Sequence, residues 1–245
     1  MLFHYWVSSA LCTVTLAAPS LAPPSAEAAL VLREYFEALA SETQEVKRAD
    51  KKETGKKETA KAETKGGPGC DTSKAKLPSS SLPPPSGTLK FIGLGSGTQN
   101  YTCKAKDAKA VPVSIGAVAS LGDGTCTGAK STRALSLLPR LAMEYDIEAL
   151  IGARAGGGTH FFNGAGAPVF ETPAGTLVGS KVAAVDAPKK GSVPWLKLNA
   201  VGGSTNGLSE VYRVNTNGGS PPANCADSAA SFEVKYSAEY WFFGK

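Results

Sequence analysis

A chain of 245 residues with 26 Lys and Arg, 21 Asp and Glu and a net charge of +5 is long enough for one large domain or two small ones, but its charge is unevenly placed. Eleven basic and ten acidic residues precede Leu77, whereas 77–245 carries fifteen basic and eleven acidic residues in a Gly-rich stretch. That distribution excludes two full-size folded domains. It also leaves no basic stripe to neutralise phosphates, so nucleic acid is not an expected partner.

The first 26 residues contain no Lys, Arg, Asp or Glu, and the run from Leu11 to Ala18 is apolar and ends in small residues. This pattern predicts a secretory signal within 1–28, cut after Ala18, Ala22 or Ala28, and therefore a secreted protein of the extracellular space or cell wall. Pro19, Pro23 and Pro24 interrupt the run before it reaches the roughly 20 residues of a membrane span, and no later apolar stretch supplies one. Residues 29–76 read as a helical and then disordered charged propeptide or spacer. Leu32, Tyr35, Phe36 and Leu39 have helical spacing across 28–46, and the Lys-Glu-Thr repeat of 51–64 has too little apolar surface to offset its ordering entropy. Lys47-Arg48, at the junction, has two readings: a dibasic processing site or part of a solvated charge run.

From residue 77 to 245 the punctuation changes to Pro and Gly, and one disulfide-bonded β-domain is expected. After an extended Pro-rich lead-in at 79–87, strand composition occurs at 88–94, 98–104, 115–121, 159–162, 168–171, 180–185, 194–200, 209–216 and 232–243. Gly-Ser-Gly, Gly-Asp-Gly and Asn-Gly turns separate these segments. The expected class is mainly β: an antiparallel β-sandwich or barrel with one short helical insertion. In the last segment Phe232, Val234, Tyr236, Ala238 and Tyr240 alternate with polar residues, as in a strand with one buried face. The insertion is predicted over 133–150, where Leu135, Leu138, Leu141, Ala142, Tyr145 and Ala149 form a stripe that would cover an open side of the sheet, with Pro139 starting or kinking the helix.

Once a signal is removed, Cys70, Cys103, Cys126 and Cys225 remain. Four cysteines in a secreted chain predict two disulfides, with three pairings open. With no Cys-x-x-Cys and one His beyond the signal, no metal site and no cofactor are expected.

Several motifs occur in a recognisable order: Gly97-Thr98-Gln99-Asn100-Tyr101-Thr102-Cys103, Thr159-His160-Phe161-Phe162 with Gly166 to Glu171, Val193-Pro194-Trp195-Leu196-Lys197-Leu198, Val211 to Gly219 with Pro222 and Cys225, and Tyr236 to Phe243. Together they resemble a fungal and bacterial family of secreted proteins of unknown function, whose fungal members often carry the label "malate dehydrogenase". The resemblance covers about residues 70–243. Bacterial relatives keep the cysteines that correspond to Cys103 and Cys225 but not the other two, which implies the pairs Cys103–Cys225 and Cys70–Cys126.

The label fares poorly against the residues. A nicotinamide site needs Gly-x-Gly-x-x-Gly between a strand and a helix, whereas Gly93-Leu94-Gly95-Ser96-Gly97-Thr98 ends in Thr and is followed by strand-like sequence. Malate dehydrogenase activity is therefore not expected. Glu171, Asp186, Glu210 and Glu239 are carboxylates that could pair for hydrolysis, and Gln99, His160, Glu171 and Arg213 each lie inside one of the motifs and can make directed hydrogen bonds.

The candidate catalytic residues are accordingly His160 and Glu171. The candidate ligand-binding set is Gln99, Tyr101, His160, Glu171, Trp195, Arg213 and Tyr240, which combines directed hydrogen-bonding groups with stacking surfaces. Asn100-Tyr101-Thr102 is a glycosylation sequon. The leading expectation is a non-enzymatic module that binds a glycan, small molecule or cell-surface partner. A small carboxylate-dependent hydrolase acting on a glycan-type substrate and a structural wall or matrix protein are the alternatives. A pocket uniting His160, Glu171 and Arg213 would favour binding or hydrolysis over the structural role.

Overall fold

Side chains alternate across a β-strand, so a closed sheet gives each strand a lumen face and an outer face. The computed structural model describes residues 25–52, with backbone alone over 42–52, and 70–146, 150 and 157–245. Its strands are β1 (Thr88–Thr102), β2 (Val113–Asp123), β3 (Gly158–Phe162), β4 (Pro168–Thr172), β5 (Gly175–Val185), β6 (Trp195–Ala200), β7 (Leu208–Gly218) and β8 (Ser231–Gly244). They pair antiparallel in chain order, and β8 returns to pair with β1, so the sheet is a closed eight-stranded barrel.

Residues 1–24 of the predicted signal and most of the Lys-Glu-Thr repeat lie outside the described residues, while 26–28, the end of the span assigned to the signal, open the helix Ala26–Lys52. Among the described residues no helix is long and apolar enough to cross a membrane.

The sequence predicts two strands at 88–94 and 98–104 with a Gly-Ser-Gly turn between them. Instead β1 runs unbroken through Gly95, Ser96 and Gly97. The reason is space in the lumen: a Cβ on Gly95 would lie 2.5 Å from Cε2 of Tyr240, and one on Gly93 would press on Phe91 at 3.3 Å. Here glycine admits a large ring from the neighbouring strand β8. Gly95→Val should therefore displace Tyr240 and lower the unfolding free energy by about 1–3 kcal/mol, read from the shift in urea midpoint. An unchanged midpoint would show that the ring has room to move.

Two apolar layers follow from the alternation. Phe91, Leu121, Phe170, Leu177, Val211, Tyr236, Ala238, Tyr240 and Phe242 pack within the lumen. Ile92, Leu94, Tyr212, Val214, Trp241 and Phe243 face outward and pack against Leu135, Leu138 and Leu141. These leucines belong to α3 (Thr132–Leu141), which follows α2 (Thr125–Lys130) and is capped by Ser131, whose Oγ accepts from the Ala134 amide at 3.1 Å.

The helix predicted over 133–150 is thus shorter. Pro139 sits within its last turn, Ala142 caps it, and Tyr145 reaches the outer layer from the turn that follows. Residues 147–149 lie outside the described residues. Strand β8 is also more buried than a one-faced strand, because from Tyr236 onwards the helical layer covers its second face too.

Burying that second face traps Glu239, which is fully enclosed. Its carboxylate accepts from Asn215 Nδ2 and Trp241 Nε1, each at 2.7 Å. Burial nevertheless dominates and pushes its pKa up to about 7. Outside the barrel wall a second polar cluster fastens the Pro-rich lead-in. Lys197 Nζ lies 2.9 Å from Glu210 and donates to the Pro84 carbonyl at 3.1 Å. The Ser86 amide donates to Glu210 at 2.9 Å, and the Tyr212 hydroxyl donates to the Pro83 carbonyl at 2.8 Å.

The long helix α1 (Ala26–Lys52) lies against α3, burying Ala28, Val31 and Ala38. Arg140 reaches Glu27 at 3.3 Å across this contact. The backbone of Lys47 and Arg48 is helical, so the dibasic pair lies on α1 and not on extended chain. Cysteines pair as Cys70–Cys126 and Cys103–Cys225, with Cα separations of 5.4 and 5.7 Å. The first pair ties the chain ahead of the barrel to α2. The second joins the β1–β2 and β7–β8 connections at one end of the barrel.

Candidate functional site

One end of the lumen is packed solid by Phe91, Leu177, Leu208 and Phe242. Towards the other end it is hollow, with a cavity of about 740 Å³ lined by residues from all eight strands. That size lies within the usual range for small-molecule sites, roughly 300–1,000 Å³. Its rim includes the exposed residues Ser114, Phe162, Gly166, Ala184 and Pro194. Deeper in, Leu196, Leu198, Val193 and Phe170 make apolar walls.

Strand register decides which predicted residues share this space. Arg213 pairs with Tyr240 between β7 and β8, and His160 pairs with Ala119 of β2 and Phe170 of β4. Gln99, Tyr101, His160, Arg213 and Tyr240 all line the cavity. Glu171 and Trp195 do not. Glu171 follows Phe170 and so takes the outer face of β4, where it is exposed and accepts from Thr159 Oγ1 at 3.3 Å. Trp195 is buried in the outer layer. The pocket therefore unites His160 with Arg213 but leaves Glu171 outside.

The remaining carboxylates also fail to converge on it: Glu210 binds Lys197, Glu239 binds Asn215 and Trp241, and Asp186 is exposed. No carboxylate lines the cavity among the described residues. Asn100 is half-buried on the outer face of β1 and accepts from Thr98 Oγ1.

His160 is stacked on Phe170, with ring centroids 4.1 Å apart and planes within 6°. Its Nδ1 lies 2.9 Å from the Val169 carbonyl, so Nδ1 carries the proton and Nε2 is left as an acceptor. Burial drives its pKa down to about 4; the Val169 carbonyl opposes that shift and the charge of Arg213 adds to it. At neutral pH the ring is an uncharged acceptor.

Arg213, buried beside it, donates through Nε and Nη2 to the Pro194 carbonyl at 3.3 and 2.9 Å. The hydroxyls of Tyr236 and Tyr240 share a hydrogen bond of 2.8 Å, and Tyr101 donates to the Gly219 carbonyl at 2.7 Å. Burial raises the pKa values of all three phenols, while the guanidinium pulls each of them back. Gln99 is buried close enough to polarise the Tyr236 hydroxyl, yet its Nε2 makes no hydrogen bond of normal geometry.

The residues that build these strands and this cavity fall within the match to one sequence family. One family model, described as "Protein of unknown function (DUF3455)", matches residues 83–244. The chain belongs to this family. No curated protein and no solved structure matches the chain. The family match begins at Pro83, where the lead-in meets Tyr212, and takes in the whole barrel, the Cys103–Cys225 pair and every residue named on the cavity. Helix α1 and Cys70 lie before it.

The alternation of the last strand puts Tyr236 on the face of Tyr240, but Leu196 and Leu198 stand outside the expected site residues, although period-two counting from Pro194 places them on one face. The Pro194 carbonyl that anchors Arg213 had no signal in the sequence.

Proposed function

We propose that this protein is an extracellular binding barrel that takes up a small organic molecule in its hollow end without turning it over. The observation that carries this reading is the cavity itself: walls from eight strands, mostly apolar, with a few convergent polar groups at depth. Secretion is supported by the uncharged apolar amino terminus and by the two disulfides. Binding is favoured over hydrolysis because no carboxylate among the described residues lines the cavity and His160 is held neutral with one nitrogen committed to a backbone carbonyl.

The test places a plug at the rim. Ala184 is exposed and lines the mouth, so Ala184→Trp should block access without touching the packed end. The oxidised full chain is expected to bind the neutral dye Nile red saturably, and the Ala184→Trp protein should lose that binding at an unchanged melting temperature. Equal dye binding by both proteins would refute the lumen as the site. Release of sugar from glycans that disappears in Glu171→Gln would establish the hydrolase instead.

A further inference from the structure

The lumen holds a positive charge that no described residue answers. Arg213 is only 9% exposed, and no carboxylate among the described residues lies within ion-pair distance of it. The Pro194 carbonyl occupies two of its donors. A guanidinium offers five, so the rest are left to Tyr240 and the cavity. An enclosed cation without a counter-charge is costly, and chains ordinarily pair it. Here the two buried acids of β7 and β8 are committed on the far side of the wall, Glu210 to Lys197 and Glu239 to Asn215 and Trp241.

A second group points the same way. Gln99 is 6% exposed, lines the same cavity, and has a buried Nε2 that sits near the Tyr236 hydroxyl but makes no hydrogen bond of normal geometry. An orphaned buried donor costs about 1–3 kcal/mol unless something accepts from it. Cation and orphan donor together define a place for a negatively charged acceptor. The walls between them and the rim, formed by Phe162, Leu196, Leu198 and Val193, are apolar.

Resting on the lumen as a binding site, we infer that its ligand is an amphiphilic monocarboxylate, with the carboxylate held by Arg213 and Gln99 and the apolar body extending towards the rim. A planar carboxylate matches the fork of a single guanidinium. A phosphate monoester brings nearly two charges where one is balanced at depth: His160 is neutral, and Lys181, the other cation on the cavity lining, is exposed to solvent.

The experiment compares decanoate with decanol and methyl decanoate, which share its chain and lack its charge. Each is titrated against the oxidised full chain by displacement of Nile red. Decanoate is expected to bind about 30-fold more tightly than either neutral compound, the scale of a charge-assisted hydrogen-bonded contact. Arg213→Gln should abolish that preference while decanol still binds.

Equal affinities in the unaltered protein would overturn the carboxylate assignment and leave the lumen site standing. Failure of all three compounds and of the dye would remove both. Because the acid, alcohol and ester comparison needs no variant, it decides the matter even where Arg213→Gln fails to fold. Gln99→Leu gives a second, milder reading, with a smaller loss of decanoate affinity expected and an undiminished one counting against the Gln99 contact.

Discussion

Replacing Lys197 with Met should destabilise the protein by about 3 kcal/mol or more, measured by urea unfolding, although Lys197 touches neither the lumen nor any ligand. The loss does not come from the attraction alone. Both side chains of the Lys197–Glu210 pair are more than nine-tenths buried, so removing the cation leaves Glu210 enclosed with the Ser86 amide and hydroxyl as its donors among the described residues. The Pro84 carbonyl loses its partner in the same step. Replacing both partners, Lys197→Met with Glu210→Leu, removes the stranded charge and should recover much of the loss, because a buried ion pair and an apolar pair of similar volume are often close in energy. A single variant within about 1 kcal/mol of the parent would mean that water reaches the pair.

The second large effect concerns pH, and two groups on opposite faces of the wall carry it. Glu239 has its pKa raised from 4.5 to about 7. Across that window the folded protein keeps a proton that the unfolded chain has released, so this group makes stability fall as pH rises, by about 3 kcal/mol in total. His160 has its pKa lowered from 6.5 to about 4. Across its window the unfolded chain holds a proton that the folded protein has given up. Stability from His160 is therefore complete above 6.5 and is lost as pH falls towards 4, again by about 3 kcal/mol.

Between pH 4.5 and 6.5 the two slopes oppose each other. The parent protein should show little net slope there from this pair. Glu239→Gln should gain stability with rising pH in that range, and His160→Gln should lose it. Unfolding free energies at half-unit pH steps provide the check; a variant with the parent's profile would remove its residue from the account.

The strand pattern was written plainly where one face is apolar and the other polar. The alternation from Phe232 to Tyr240 identifies β8 and its lumen face by inspection. It says nothing about Ser237 and Glu239 being enclosed, because that depends on α3, whose Pro139 carbonyl accepts from the Ser237 hydroxyl across a gap of about a hundred residues in sequence. Polar residues facing out look alike whether water or a helix meets them. Glycine misled for a related reason. Gly93, Gly95 and Gly97 have the look of turn punctuation, yet their role depends on Tyr240 of β8 and on β2, the strands that flank β1 in the closed sheet.

At the site, motif membership alone could not separate His160 from Glu171. Parity could: with His160 opposite Phe170, the next residue along β4 must face outward. The same counting sets Trp195 apart from Pro194 and Leu196.

The Cys103–Cys225 bond has a consequence for how the barrel forms. Its two ends are 122 residues apart in sequence, and the pairing that closes the barrel, β1 with β8, spans a still longer stretch of chain. Contacts that distant are slow to find, because the search for them is paid in chain entropy before any strand is zipped. Cys103 directly follows Thr102, which pairs with Ser231 a few residues after Cys225. Once the two sulfurs are joined, the first and last strands begin as near neighbours, and closing the ring becomes like zipping a hairpin from its turn. Oxidation thereby turns the slowest contact in this topology into a local one, so a chain refolding with this bond intact starts with its seam already aligned.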